Sequence, residues 1–72
     1  MEAIWKQQNV NRWKGIYKAA IAVVYENVDR ETFKISYKYR ISFSGMVIKG
    51  EESTLTAAMD RLKTTTDDFL IA

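Results

Sequence analysis

The fold is decided by the stretch Thr32-Phe33-Lys34-Ile35-Ser36-Tyr37-Lys38-Tyr39-Arg40-Ile41-Ser42-Phe43, in which polar and apolar residues alternate at every position. Side chains of a strand point to opposite faces with a period of two, so the alternation predicts one long, half-buried β-strand. Its odd positions are expected to face a core. Its even positions carry Lys34, Lys38 and Arg40 and no acid, so we expect the other face of the sheet to be cationic.

A preceding strand is predicted over residues 13–26, with a turn at 27–31 that pairs Glu26 with Thr32. Aromatic and β-branched cross-strand partners favour this antiparallel register. The predicted pairs are Tyr25/Phe33, Val23/Ile35, Ile21/Tyr37, Ala19/Tyr39 and Tyr17/Ile41 on one face, and Val24/Lys34, Ala22/Ser36, Ala20/Lys38, Lys18/Arg40 and Ile16/Ser42 on the other.

The remaining sequence predicts two further strands or strand ends and one helix. Residues 2–7 favour a short strand, with an N-terminal helical turn as the alternative, and residues 8–11 favour a turn. Residues 46–49 lie between two glycines and form either a short fourth strand or the end of the third after a bulge. The predicted fold is α+β: an antiparallel meander of three or four strands (about 2–7, 13–26, 32–44 and 46–49) with one C-terminal amphipathic helix (about 54–70) on one face.

The helix is predicted from its apolar spacing and from a capping residue. Ser53 or Thr54 is a suitable N-cap, and the apolar positions recur with the spacing of an amphipathic helix. Residues 69–71 either close the helix or dock separately, because threonines and aspartates near its end are unfavourable there. The predicted core comprises Tyr17, Ile21, Val23, Ile35, Tyr37, Ile41, Phe43, Leu55, Met59, Leu62 and Phe69.

Composition indicates one small cytoplasmic domain over residues 1–72. A chain of 72 residues buries a limited fraction of its surface, and the absence of Cys and His leaves no disulfide or usual structural metal site to support it. Oligomerisation or a partner is the remaining source of stability. We expect no signal peptide and no membrane span, since no apolar run approaches about 18 residues.

The residues favour a binding protein over an enzyme. Without His or Cys, the usual activated nucleophiles are missing, and the acids fall at turn, capping and helix-end positions. The three glycines match no phosphate-binding loop. We therefore predict no catalytic residue, no metal, no cofactor and no small-molecule substrate.

The first functional hypothesis is nucleic-acid binding, DNA or RNA, through the cationic sheet face. The net charge of +2 divides into +5 over residues 1–50 and −3 over residues 51–72, and such asymmetry steers anionic partners. The predicted anion-binding residues are Lys18, Lys34, Lys38, Arg40, Lys14 and Arg12, extended by Lys6 and Trp13. Lys18 opposite Arg40 is a like-charge pair that an anion would relieve. The layout of a sheet and a terminal helix resembles that of the small DNA-binding domains at the N-termini of some phage integrases, without a shared residue motif.

The alternative hypothesis is a protein-binding module. It would be a small inhibitor of a larger enzyme or nucleoprotein, of the kind that phages and mobile elements encode, or a homodimer. Trp is enriched in interface hot spots, and a core this small does not easily bury two of them. The predicted interface residues are Trp5, Trp13, Ile16 and Val24, and the partner would be an acidic protein surface or a second copy, contacted through the sheet face or edge.

Overall fold

The computed structural model describes residues 2–71, which form one antiparallel sheet and one helix. In chain order the elements are β1 (Ile4–Asn9), β2 (Arg12–Tyr17), β3 (Ala20–Val28), β4 (Ile35–Phe43), β5 (Met46–Glu52) and α1 (Leu55–Ile71). Each strand pairs with the next, so the sheet order is β1-β2-β3-β4-β5. The predicted α+β class, antiparallel meander and C-terminal helix are confirmed, whereas the sheet has five strands instead of three or four.

The predicted strand over residues 13–26 is wrong, because a turn at Lys18 and Ala19 divides it into β2 and β3. Tyr17 pairs with Ala20 across this two-residue turn, and Lys18 adopts a φ of 53°. Tight hairpins require such left-handed backbone, which Gly and Asn usually supply. Because the turn residues Lys18 and Ala19 are neither Gly nor Asn, the sequence does not indicate a turn here.

The predicted register between the two long strands is also wrong. Val24 pairs with Tyr39, which the prediction placed opposite Ala19. The connection between the strands supplies the reason: Val28 pairs with Ile35, so residues 29–34 connect them instead of 27–31, and even positions of β3 lie opposite odd positions of β4. The turn at Lys18 and Ala19 is consistent with this, because Tyr17 lies opposite Ala20, so the odd positions of β2 and the even positions of β3 share a face. The odd positions of β4 do face the core, as predicted, since Ile41 is buried there.

The loop between β3 and β4 spans residues 29–34 and includes positions predicted as strand. The Asp29 carboxylate accepts hydrogen bonds from the backbone N–H groups of Glu31 at 2.8 Å and Thr32 at 3.2 Å. These bonds lower the pKa of Asp29, the one from Glu31 most. Phe33 adopts a φ of 58° and is 77% exposed, so the alternation of residues 32–34 does not reflect strand structure.

The two short hairpins follow their turn residues. In the predicted turn after β1, Asn9 Oδ1 accepts from the Asn11 N–H at 3.0 Å, and β1 is a strand rather than a helical turn. Between β4 and β5, Ser44 and Gly45 have φ values of 51° and 82°, which is the pattern of a tight hairpin turn. Residues 46–49 therefore belong to a separate strand, β5, and do not extend β4.

The helix closely follows its prediction. Thr54 Oγ1 accepts from the Ala57 N–H at 3.1 Å, which makes Thr54 the N-cap. The segment Phe69-Leu70-Ile71 closes α1 instead of docking separately. No helix of residues 2–71 is both long enough and apolar enough to cross a membrane.

The core lies between α1 and the face of the sheet that it covers, called the covered face below. Its buried residues are Tyr17, Ala20, Ala22, Val24 and Ile41 on the sheet and Ala58, Leu62 and Thr66 on α1. Of the predicted core, Tyr17, Ile41 and Leu62 are confirmed as buried, and Tyr37, Phe43, Leu55 and Met59 are half-buried.

Four predicted core residues were wrong. Ile21 and Val23 lie on the opposite face, because the turn after Tyr17 places the even positions of β3, and not the odd ones, on the covered face. Ile35 is 51% exposed, since it lies beyond the pair Tyr37–Glu52 that ends the paired part of β5. Phe69 is exposed at the last turns of α1, where its ring stacks on Phe43 with centroids 6.1 Å apart.

Candidate functional site

The face of the sheet opposite α1, called the open face, is built from alternate residues of all five strands. Cross-strand pairing arranges these residues in rows. The basic row contains Lys6, Lys14, Val23, Arg40 and Lys49, one residue from each strand in order. With neighbouring strands about 4.8 Å apart, this row extends roughly 19 Å across the sheet.

Two further rows flank the basic row, each about 7 Å away along the strands. One row contains Arg12, Tyr25, Lys38 and Glu51. The other contains Ile4, Ile16, Ile21, Ser42 and Val47 and is called the aliphatic row. All four aliphatic side chains are exposed, Ile4 by 74%. The open face thus combines cations with apolar surface.

The cations of the open face lack ion-pair partners within residues 2–71. These cations are Lys6, Arg12, Lys14, Lys38, Arg40 and Lys49. The three rows contain one carboxylate, that of Glu51, which accepts a hydrogen bond from Ser36. The formal charge of the face is therefore +5. By contrast, the cations on the helix side are paired: Lys18 with Asp67, Arg61 with Glu52 and Lys63 with Glu2.

Two like-charge pairs on the open face oppose folding. Lys6 lies directly opposite Lys14, and Arg40 lies directly opposite Lys49. Like charges at directly opposed positions destabilise a sheet. A bound anion would remove this repulsion, so the arrangement suits an anionic ligand.

An open depression of about 550 Å³ lies on the open face, lined by residues of β2, β3, β4 and β5. Tyr25 and the four cations Arg12, Lys38, Arg40 and Lys49 contribute to its wall, with Glu51 at one side. The depression therefore offers an aromatic surface surrounded by positive charge.

Four of the six predicted anion-binding residues come together on the open face: Arg12, Lys14, Lys38 and Arg40. Lys34 does not, because it lies in the loop before β4. Lys18 does not either, because it occupies the turn after β2, and the predicted pair with Arg40 does not form.

Lys18 is instead part of a contact that fastens this turn to the end of α1. Its Nζ donates to Asp67 Oδ1 at 3.0 Å, and the Tyr17 hydroxyl donates to the same oxygen at 2.7 Å. The bond from Tyr17, followed by that from Lys18, lowers the pKa of Asp67, and the bond to Asp67 raises the pKa of Lys18. Lys18 is thus a structural residue.

Sequence reasoning did not include Lys49 in the anion-binding set and gave Lys6 only as an extension. The position of Lys49 follows from a short turn. A two-residue turn at Ser44 and Gly45 places Lys49 opposite Arg40, and Ser-Gly is a recognised turn signal.

Most of the predicted protein-interface residues lie on the covered face. Val24 is fully buried, and Trp13 packs edge to face on Tyr37 with ring centroids 6.2 Å apart. Trp5 packs against the core. Ile16 alone is on the open face, in the aliphatic row. Trp13 therefore does not extend the basic surface.

Comparison with known protein families, with curated proteins and with solved structures gives no match for this chain. Within residues 2–71, no group of three metal-ligating side chains is placed to hold an ion. The function is therefore inferred from the geometry and charge of the open face.

Proposed function

We propose that this protein is a non-enzymatic, nucleic-acid-binding protein that contacts the phosphate backbone through its open face. The observation that carries the proposal is the basic row, whose cations have no carboxylate partner within residues 2–71. Phosphates are strong acceptors for Lys and Arg, and binding releases the counterions that surround nucleic acids.

The contacts are expected to be largely independent of base sequence. The basic row crosses all five strands and presents flexible Lys and Arg side chains from a flat sheet, rather than a helix or a pair of strands shaped to enter a groove. Contacts of this kind position a protein on the backbone without reading base edges. We therefore expect similar affinities for oligonucleotides of different sequence, in DNA and in RNA.

The proposal is tested by fluorescence anisotropy with labelled mixed-sequence oligonucleotides over a range of salt concentrations starting at about 50 mM. The expected result is binding whose log K falls linearly with log salt concentration, with a slope that reflects several phosphate contacts. Wild-type protein that shows no salt-dependent binding to any DNA or RNA would overturn the proposal.

A matched pair of double variants localises the binding. Arg40→Ala/Lys49→Ala removes two cations of the basic row, and Arg30→Ala/Lys34→Ala removes the same two residue types from the exposed loop. The first should reduce the salt slope by about two, or one per lost phosphate contact, and the second should have little effect. Equal losses in both would show that total charge, and not the open face, determines binding.

A protein partner is the second candidate, favoured by the exposed aliphatic row. Ile4, Ile16, Ile21 and Val47 form an apolar stripe beside the basic row. An acidic protein surface with an apolar strip, or a second copy, would complement it. Light scattering of wild type and of Ile16→Ser/Ile21→Ser would test self-association: a dimer that the variant converts to monomer supports this candidate, and a wild-type monomer excludes the second copy.

A further inference from the structure

Resting on the proposed function, we infer that the open face selects single-stranded over duplex nucleic acid, and that the depression around Tyr25 receives one unpaired base. The sugar-phosphate backbone of the nucleic acid would lie on the basic row. The base would stack on the Tyr25 ring.

The position of Tyr25 supports this assignment. It is 41% exposed and lies on the open face between Arg12 on β2 and Lys38 on β4. It is two residues from Val23 of the basic row, or about 7 Å along the strand. A phosphate on the basic row and its base on Tyr25 are therefore within the reach of one nucleotide.

Tyr25 is also the one aromatic residue of strands β1–β5 that the pairing places on the open face. The other aromatic residues of these strands lie on the covered face, namely Trp5, Trp13, Tyr17, Tyr37, Tyr39 and Phe43. Packing in the core or against one another accounts for the aromatic residues on that side. It does not account for a tyrosine in a cationic depression away from the helix.

Apolar surface on both sides of the basic row distinguishes the two forms of nucleic acid. Tyr25 lies on one side and the aliphatic row on the other. An unpaired strand exposes base faces that can cover such surface, and stacking on an aromatic ring is a common device in single-strand binding. A duplex keeps its base faces internal and would place charged phosphates over the same apolar side chains.

The test compares one oligonucleotide as a single strand and as a duplex, with wild type, Tyr25→Ala and Tyr25→Phe, all confirmed as folded by circular dichroism. Wild type should prefer the single strand. Tyr25→Ala should weaken single-strand binding by about 5- to 150-fold, the equivalent of about 1–3 kcal/mol for one stacked base. It should leave duplex binding unchanged, and Tyr25→Phe should bind like wild type.

The outcomes of this test distinguish a failure of the stacking inference from a failure of the proposed function. Equal affinity for both forms, with no effect of Tyr25→Ala, overturns this inference and leaves the proposed phosphate contacts intact. A loss in Tyr25→Phe as large as that in Tyr25→Ala assigns the effect to the hydroxyl and overturns the stacking. Absence of any nucleic-acid binding, or binding to anionic vesicles in its place, overturns both proposals.

Discussion

The two faces of the sheet use the same five strands and differ in almost every physical property. On the covered face, small and aromatic residues pack under α1, and the cations on that side of the molecule are ion-paired. On the open face, six cations and four aliphatic side chains face solvent, and none of these cations is ion-paired within residues 2–71. One face has the features of a core, the other those of a binding surface.

Under the proposed function, this difference assigns stability and recognition to alternate positions of one chain. Val24 is fully buried on the covered face, whereas its neighbour Val23 lies in the basic row. Substitutions on the covered face should therefore change the free energy of unfolding, and substitutions on the open face should change binding.

The largest effect is expected for Leu62→Ala. Leu62 is 0% exposed, and truncation of a large buried aliphatic costs about 2–5 kcal/mol. Domains have only about 5–15 kcal/mol of stability in total, so this variant should be largely unfolded or melt far below wild type. Urea unfolding followed by circular dichroism would measure it.

The matched change on the open face is Ile21→Ala. Ile21 is already substantially exposed, so its truncation should cost about 1 kcal/mol or less. If Ile21→Ala were as destabilising as Leu62→Ala, the open face would be covered in solution. That result would contradict the difference in exposure between the two faces.

Gly15→Ala should have an intermediate effect. A Cβ at this position would lie 2.6 Å from Cε3 and Cζ3 of Trp5, whose ring covers the glycine. Overpacking of this kind costs about 1–3 kcal/mol. A double-mutant cycle with Trp5→Ala gives the control, because Gly15→Ala should cost much less once the ring is removed. An unchanged penalty would point to backbone strain instead.

Thr66→Val should be neutral or stabilising by up to about 1 kcal/mol. Thr66 is buried, and its Oγ1 has no hydrogen-bond partner within residues 2–71. Replacement of the hydroxyl by a methyl group removes an unsatisfied polar atom without changing the shape. Thr64→Val, on the exposed side of α1, is the control for helix propensity and should change little. Clear destabilisation by Thr66→Val alone would reveal a partner for the hydroxyl.

The smallest effect at neutral pH is expected at Asp67. Its pKa is lower in the folded chain than its ordinary value, because Tyr17 and Lys18 donate to the carboxylate. The resulting stabilisation is present above about pH 4 and is lost as pH falls through the lowered pKa. Asp67→Asn should therefore flatten the decline of the melting temperature below about pH 4 relative to wild type. An identical decline in both proteins would exclude this contact as a source of acid sensitivity.

The parts of the fold that local chemistry determines were predictable. The alternation in β4 indicated which side of that strand faces the core, and Thr54 and the apolar spacing indicated α1. The turn at Lys18 was not predictable, because Lys in left-handed backbone is held by the surrounding sheet and not by its own preference. This single turn accounts for the wrong strand count and for the wrong inner face of β3.

The sequence predicted that the candidate site is a basic surface, but it did not predict all of the residues that form it. The excess of cations in residues 1–50 indicated a basic surface, and four of the six predicted residues do meet on it. Lys18 and Lys34 were misplaced because they depend on turns, and Lys49 was missed because its strand was not paired with β4. An error in strand register leaves the predicted excess of positive charge unchanged, but it changes which residues are predicted to be cross-strand neighbours.

The most direct test of the separation between the faces is a nuclear magnetic resonance titration of methyl-labelled protein with a single-stranded oligonucleotide. Val23 and Val24 are consecutive residues on opposite faces of β3. We predict that the methyl signals of Val23 shift on titration, while those of Val24 and of Leu62 stay in place. Equal shifts at Val23 and Val24, or shifts confined to the covered face, would contradict the assignment of the open face as the binding surface.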